Sequence, residues 1–313
     1  MKTRSSRAAL IGPAFAVLGV FGFSLKAILV KLAYASHPVD AITLLALRML
    51  YAAPLFAAMA WWASRDPGAR PFTRRDWIML WALGFVGYYL SSLTDFLGLQ
   101  FISASLERLV LFLYPTIVVI LSAILLEQHI TRRVVLALVL SYAGIVLVIA
   151  HDLQITGDVR ALWIGGGLVF ASAFFYAVYL VGAGPVIARL GSLRFVAWAM
   201  LASSVFVFVQ FLLARPLAAL AVPLHIHGLS VTMALVSTAL PIYLMAEALK
   251  RIGANRASLI GSIGPVFTIA LGYWLLDEPI HAIQLVGAAL VLGGVMLVTL
   301  KAPPTAATPP VES

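Results

Sequence analysis

Lys26, Asp95, Glu107, Arg108, Glu247 and Arg256 stand within, or at the ends of, stretches otherwise built from Leu, Ile, Val, Ala and Phe. In hydrocarbon each such charge costs about 2.5–3.5 kcal/mol, so it turns toward a bundle interior or a wet cavity and takes a partner. Lys26 is the deepest. It lies about nine residues from the end of its apolar run, roughly 13 Å at 1.5 Å per residue, too far for easy snorkelling. Its ammonium suits either an anionic group on a bound molecule or a carboxylate on a neighbouring helix. Lys31, nearer the end of the same run, is expected to snorkel to the interface. Arg48 is expected to serve structure by binding backbone carbonyls or a carboxylate.

Asp95, Glu107 and Arg108 bracket one short connection, and Glu247 and Arg256 bracket another on the opposite face. The two groups read either as gates whose ion pairs form alternately or as ordinary loop-end pairs. Helical spacing also yields polar stripes: Tyr88, Ser92 and Asp95; Glu107, Leu111 and Tyr114; Ser172, Tyr176 and Tyr179; and Ser258, Ser262 and Pro265. A mid-span tyrosine hydroxyl needs a partner, so these stripes either line a wet cavity or hydrogen-bond between helices. Lys26, Ser92 and Ser262 join the tyrosines as cavity candidates. Pro115, Pro241 and Pro265 each remove a backbone hydrogen bond inside a span, and Pro115 and Pro265 are expected to kink their helices.

The elements that carry these residues follow from composition. Of 313 residues, 63% are hydrophobic and 11% charged, and the mean hydropathy is +1.04. So few charges cannot cover a water-soluble surface, which takes roughly 25%. Apolar runs fall near 10–35, 41–62, 77–99, 103–126, 133–150, 161–184, 194–214, 229–249, 254–276 and 281–300. Each is long enough to cross a bilayer core of about 30 Å. Lys2, Arg4, Arg7, Arg65, Arg70, Arg74, Arg75, Arg132, Arg133, Arg189, Arg194, Lys250, Arg251, Arg256 and Lys301 fall on one side of the alternating spans; only Arg108, Arg160 and Arg215 fall on the other. Basic residues resist translocation, so both termini are expected in the cytoplasm. The first run is expected to be a retained helix, not a signal peptide, because it exceeds the 7–15 residues of a signal core and contains Lys26 and Lys31.

Shifted by 150 positions, the sequence meets itself. Leu99, Ile102, Ala104, Leu109, Pro115, Leu121, Leu125, Leu126, Ile130, Leu140, Gly144, Leu147 and Val148 all recur, so that "LLEQHI" (125–130) aligns with "LLDEPI" (275–280). Five spans per copy force the second copy upside down. The expected fold is therefore an all-α polytopic membrane protein whose ten transmembrane helices form two inverted five-helix repeats, with a binding site where the repeats meet. The expected division is a cytoplasmic tail at 1–9, a first repeat at 10–150, a periplasmic linker at 151–160, a second repeat at 161–301 and a disordered cytoplasmic tail at 302–313. Small residues Ala137, Ser141 and Gly144, with Ala289 and Gly293, suit close packing of the fifth and tenth spans, as scaffold or in a homodimer.

Several chemistries are excluded. The chain has no cysteine, which removes disulfides and thiolate metal sites. His225 and His227 lack further ligands and read as a solvated loop, so no metal site is expected. The net charge of +9 forms no basic cluster interleaved with aromatics, so no nucleic acid is expected. No phosphate-binding G-x-x-x-x-G-K-[ST], G-x-S-x-G or H-E-x-x-H is present, and no cofactor or catalytic residue is expected.

"FSLKAILVKLA" (23–33), "LALRMLYAAPL" (45–55), "GANRASLIGSIGPVFTIALGYWLLDEPI" (253–280) and "GAALVLGGVML" (287–297) together resemble the EamA-type ten-span exporters of the drug/metabolite transporter superfamily. The resemblance covers nearly the whole chain. It departs after the fourth span, where the family's glutamate is replaced by Gln128 beside Glu127, while Glu278 keeps the equivalent place in the second half. The resemblance implies a secondary exporter of amino acids or similar small metabolites in the inner membrane, with Tyr88 or Tyr89, Tyr114 and Tyr176 touching a small-molecule substrate. A lipid-modifying membrane enzyme and a passive channel are the alternatives.

Overall fold

The computed structural model describes residues 2–65, 68, 70–125, 131–156 and 158–299. All the regular structure among them is helical. Eight helices are long and apolar enough to cross a membrane: Leu10–Ser36, Ala41–Ser64, Arg74–Gly98, Ala104–Leu125, Arg132–Leu153, Val159–Leu190, Ser192–Ala214 and Leu224–Gly253. They are spans 1 to 8. Two shorter apolar helices, Gly264–Leu276 and Ala282–Leu297, belong to spans 9 and 10. Span 9 begins directly after Gly253, whose φ of +77° turns the chain out of span 8.

The inverted repeat is visible in the irregularities. A π-helical segment at Gly84–Leu90 in span 3 has its counterpart at Leu235–Ala239 in span 8. Span 4 is interrupted at Phe112 and Leu113, and span 9 at Ser262 and Ile263, the same places in the two copies. Each interruption is followed by a proline, Pro115 or Pro265, in the first turn of the next helical segment, where a missing N–H costs nothing.

Packing obeys the same symmetry. Span 1 lies against spans 8 and 9, as span 6 lies against spans 3 and 4; span 2 pairs with span 7, span 4 with span 9, and span 5 with span 10. The last pair is close enough to depend on glycine, since a Cβ on Gly144 would stand 2.6 Å from the carbonyl oxygen of Gly287. Ala137, Ser141 and Gly144 of span 5 thus meet Gly287 and Gly294 of span 10, whereas Ala289 is exposed and Gly293 has open space at its Cα. Apolar burial does the rest, with Leu44, Leu45, Leu47, Met49 and Phe56 of span 2 fully enclosed among spans 1, 3, 7 and 8.

Some boundaries differ from the hydropathy reading. Span 5 continues to Thr156 and span 6 starts at Val159, so the connection expected over 151–160 is mostly helix. Span 8 starts at Leu224, directly after Pro223, which places His225 and His227 on a helix instead of in a solvated loop. His227 Nδ1 lies 2.9 Å from the Tyr51 hydroxyl. The tail at 302–313 and the Glu127–Gln128 pair lie outside the described residues.

Candidate functional site

Spans 1, 3 and 4 bring one ammonium to two carboxylates. Lys26 Nζ stands 2.6 Å from Asp95 Oδ2 and 3.6 Å from Glu107 Oε1. The Asp95 and Glu107 side chains are 1% and 0% exposed, whereas Lys26 is 20% exposed. The carboxylates are thus sealed in protein while the ammonium is partly exposed. Among the described residues no hydrogen-bond donor satisfies the four carboxylate oxygens, and Lys26 is the cation within salt-bridge distance of them.

Two guanidinium groups flank this centre. Arg48 of span 2 donates from Nη2 to Ser92 Oγ at 3.4 Å and lies over the Phe96 ring at 5.2 Å. Ser92, Asp95 and Phe96 share a face of span 3, so Arg48 packs along the same face as Asp95. Arg108 crosses from span 4 to the interruption in span 9: a Cβ at Gly264 would lie 2.8 Å from its Nη2. Glycine at that position makes room for the guanidinium. Ser24 of span 1 donates to the Gly264 carbonyl at 3.0 Å, tying span 1 to the same break.

A tyrosine wall forms where spans 3, 4 and 6 meet. The Tyr88 and Tyr179 hydroxyls are 2.8 Å apart. Tyr176 stacks on Tyr179 at 5.6 Å and meets Tyr114 edge-on at 5.1 Å. One turn from Tyr88, Ser91 and Ser172 join their hydroxyls at 3.0 Å. Tyr88, Tyr114 and Tyr176 are half-buried, as are Ser92 and Arg108.

The face opposite the basic one is sewn shut around this centre. Lys31 Nζ donates to the Ile102 carbonyl at 3.0 Å, so it anchors the connection between spans 3 and 4 and does not snorkel. The Tyr34 hydroxyl donates to the Phe96 carbonyl at 2.8 Å. Glu278, at the end of span 9, accepts from the Ala104 N–H at 2.9 Å, the Ser105 N–H at 3.3 Å and the Ser105 hydroxyl at 3.0 Å. A carboxylate on the first N–H groups of span 4 meets the positive end of that helix. Asp40 caps span 2 through the N–H groups of Ile42 and Thr43, and Arg215 Nε reaches it at 3.1 Å. Burial pushes the Asp40 carboxyl up, but hydrogen bonds from Thr43 and Arg215 outweigh it and hold the group below its usual range.

On the basic face, Arg189 of span 6 binds Asp76 of span 3, with Nε 2.9 Å from Oδ1. Arg194 donates to the Arg70 carbonyl at 2.6 Å and lies over Phe72 at 4.0 Å. Glu247 pairs with Lys250 at 2.9 Å and with Arg251 at 3.0 Å on its own helix.

The expected site residues thus separate. Lys26, Asp95 and Glu107 form one centre; Tyr88, Tyr114 and Tyr176 form the wall beside Tyr179. Asp95 takes Lys26 as its partner, while Arg108 goes to Gly264; Glu247 is held by Lys250 and Arg251, and Arg256 is exposed. Tyr89 turns away to Phe85 and Phe206. Ser262 is buried at the interruption of span 9. The cross-repeat contact of Glu278 was not read from sequence; its signal was the recurrence of an acidic-capable position after the fourth and ninth spans. Among the described residues no group of three or more metal-ligating side chains assembles.

Comparison with known proteins covers almost all of the chain. The family described as "EamA-like transporter family" matches twice, at residues 10–150 and 163–300. The chain is 31% identical over 299 residues to the "Uncharacterized transporter YcbK" of Bacillus subtilis (strain 168), spanning 93% of this chain and 92% of the relative. It is 26% identical over 226 residues to the "Uncharacterized transporter YyaM" of the same organism, spanning 71% and 73%. It is 26% identical over 230 residues to the "Uncharacterized inner membrane transporter YicL" of Salmonella typhimurium, spanning 72% and 74%. A solved crystal structure superposes with a TM-score of 0.61 at 21% identity, covering 94% of this chain and 97% of the other, which speaks for the fold.

Proposed function

This chain belongs to the EamA-like transporter family, and from that premise we propose that it is a secondary exporter of amino acids or similar small metabolites, working by alternating access. The observation that carries the reading is a set of polar side chains within the spans, the Lys26 centre on spans 1, 3 and 4 and the partly exposed Tyr88, Tyr114 and Tyr176 on spans 3, 4 and 6, in a chain of two inverted repeats. Rocking of one repeat against the other would expose these side chains to each side in turn. The basic face is the cytoplasmic one, with both termini on it and the protein in the inner membrane; the excess of Lys and Arg there supports this. The ties at Lys31, Tyr34 and Glu278 would then close the outer mouth.

Counterflow tests the reading. Proteoliposomes loaded with unlabelled amino acid and diluted into trace label should accumulate the label transiently above equilibrium. A panel of aromatic, branched and hydroxylated amino acids serves as cargo. Simple equilibration of the label would identify a pore, and conversion of lipid without flux would identify an enzyme. A growth-resistance screen with the chain overproduced, against Lys26→Ala, extends the search to other metabolites.

A further inference from the structure

We propose that the groove between the basic ends of spans 3 and 6 holds one anionic phospholipid, with its phosphate on Arg75 and Arg189 and its acyl chains along Met79 and Pro185. The inference concerns how the protein meets its bilayer, and it stands whatever cargo the carrier moves.

Charge at this end is one-sided. Arg70, Arg74, Arg75, Arg189 and Arg194 gather on segments 70–76 and 189–194, whose one carboxylate among the described residues is Asp76. Arg189 takes that carboxylate, with Nε 2.9 Å from Oδ1, and reaches the Pro71 carbonyl at 3.4 Å. Arg194 donates to the neighbouring Arg70 carbonyl at 2.6 Å and to the Ser64 hydroxyl at 3.3 Å. Arg75 is exposed and has no partner among the described residues. Guanidinium groups do not deprotonate in proteins, so the cluster is short of anions.

Aromatic side chains mark the depth. The Phe72 ring lies 4.8 Å from Trp77, which meets Trp198 edge-on at 5.2 Å. Trp61 and Trp62, at the same end of span 2, are 58% and 60% exposed. Indoles collect at the headgroup level of a bilayer, so the arginines beside them stand among lipid phosphates.

A groove of about 330 Å³ opens there between the two spans. Thr73, Arg75 and Arg189 form its mouth, and Met79, Gly182 and Pro185 its inner part. Met79 is about 6 Å deeper than Arg75, and Gly182 about 10 Å deeper than Arg189, at 1.5 Å per helical residue. The lining thus turns from cationic to apolar over roughly the 5–8 Å depth of one leaflet's headgroup layer. Ile78 and Trp81 on span 3 and Pro185 on span 6 are exposed beside it, and exposed apolar side chains on a membrane span lie against hydrocarbon. Charge therefore selects an anionic headgroup, and the two-part lining selects a lipid over a soluble anion.

The test uses the purified full chain, delipidated in detergent. Native mass spectrometry with dioleoylphosphatidylglycerol should show one lipid retained per chain, and dioleoylphosphatidylcholine at the same concentration should be lost. Arg75→Gln should weaken retention about tenfold, the equivalent of one charge-assisted hydrogen bond. Arg74→Gln removes the same charge from an exposed neighbour outside the groove and should change retention little. Inorganic phosphate at equal concentration should not displace the lipid. A phosphatidylglycerol with a photoreactive group near the glycerol should label peptides covering 74–83 and 182–190 of the natural chain, a readout that needs no variant. Equal retention of the two lipids, unchanged retention in Arg75→Gln, or equal loss in Arg74→Gln and Arg75→Gln would overturn the proposal. So would displacement by inorganic phosphate, or labelling confined to other peptides.

Discussion

Replacing Lys26 with Met keeps most of the side-chain volume and removes the ammonium from between two carboxylates. At an effective dielectric of about 20, unit charges at the observed 2.6 and 3.6 Å attract by about 6 and about 5 kcal/mol. Against this stands a desolvation cost of several kcal/mol for each buried ion, so the intact cluster contributes little net stability. Removing one partner is different, because it strands buried charge; the expected cost is about 3–5 kcal/mol. Asp95→Asn in the Lys26→Met background removes one stranded carboxylate and should recover part of that cost, giving a coupling energy of about 2 kcal/mol. Unfolding by SDS in mixed micelles, followed by tryptophan fluorescence, measures all four corners of the cycle; the chain has 7 tryptophans. Costs that add within about 0.5 kcal/mol would show that Lys26 and Asp95 do not sense each other, and the centre as described would be refuted.

Glu278→Gln should lower stability by about 1–3 kcal/mol, since it replaces charge-assisted bonds to the start of span 4 with neutral ones; the same unfolding assay reads it. Gly287→Leu should cost at least about 1–3 kcal/mol by forcing spans 5 and 10 apart, because a Cβ there would already stand 2.8 Å from the Gly144 carbonyl oxygen. Asp40 has a folded-state carboxyl below its usual range, so its contribution is present above about pH 4 and fades as pH falls through the lowered value. Asn also caps helices, so Asp40→Asn should flatten the acid limb of the stability profile and change little near neutrality.

Much of the architecture was legible because hydrophobic run length and basic-residue alternation are one-dimensional signals. The offset of 150 carried further than expected: Pro115 and Pro265 announced interruptions that fall at matching places in spans 4 and 9. The paired π-helical segments were not announced, since Gly84–Leu90 and Leu235–Ala239 hold no proline or shared signature. Partner choice was also hidden. Tyr88 and Tyr89 sit one helical step apart, and only the rotation of span 3 decides that Tyr88 meets Tyr179 while Tyr89 meets Phe206. Lys31 has a stem long enough either to snorkel or to reach the Ile102 carbonyl, and the closeness of spans 1 and 4 selects the carbonyl. Asp95 had two cations in reach of a sequence argument, Arg108 and Lys26. Gly264 leaves room for Arg108 against span 9, and Lys26 is the cation that reaches the Asp95 carboxylate. The His225 segment looked like a loop because its polarity masks the helix that Pro223 starts.

The absence of cysteine from the natural sequence makes the central claim directly measurable. Ser92 is half-buried beside Arg48 and on the face of span 3 that carries Asp95. A single cysteine at that position, in oriented proteoliposomes, can be challenged with a membrane-impermeant thiol reagent from either side. Alternating access predicts labelling from both sides, with added cargo slowing one rate and speeding the other. Labelling from one side only under every condition, or from neither, would contradict a mid-membrane space that opens alternately.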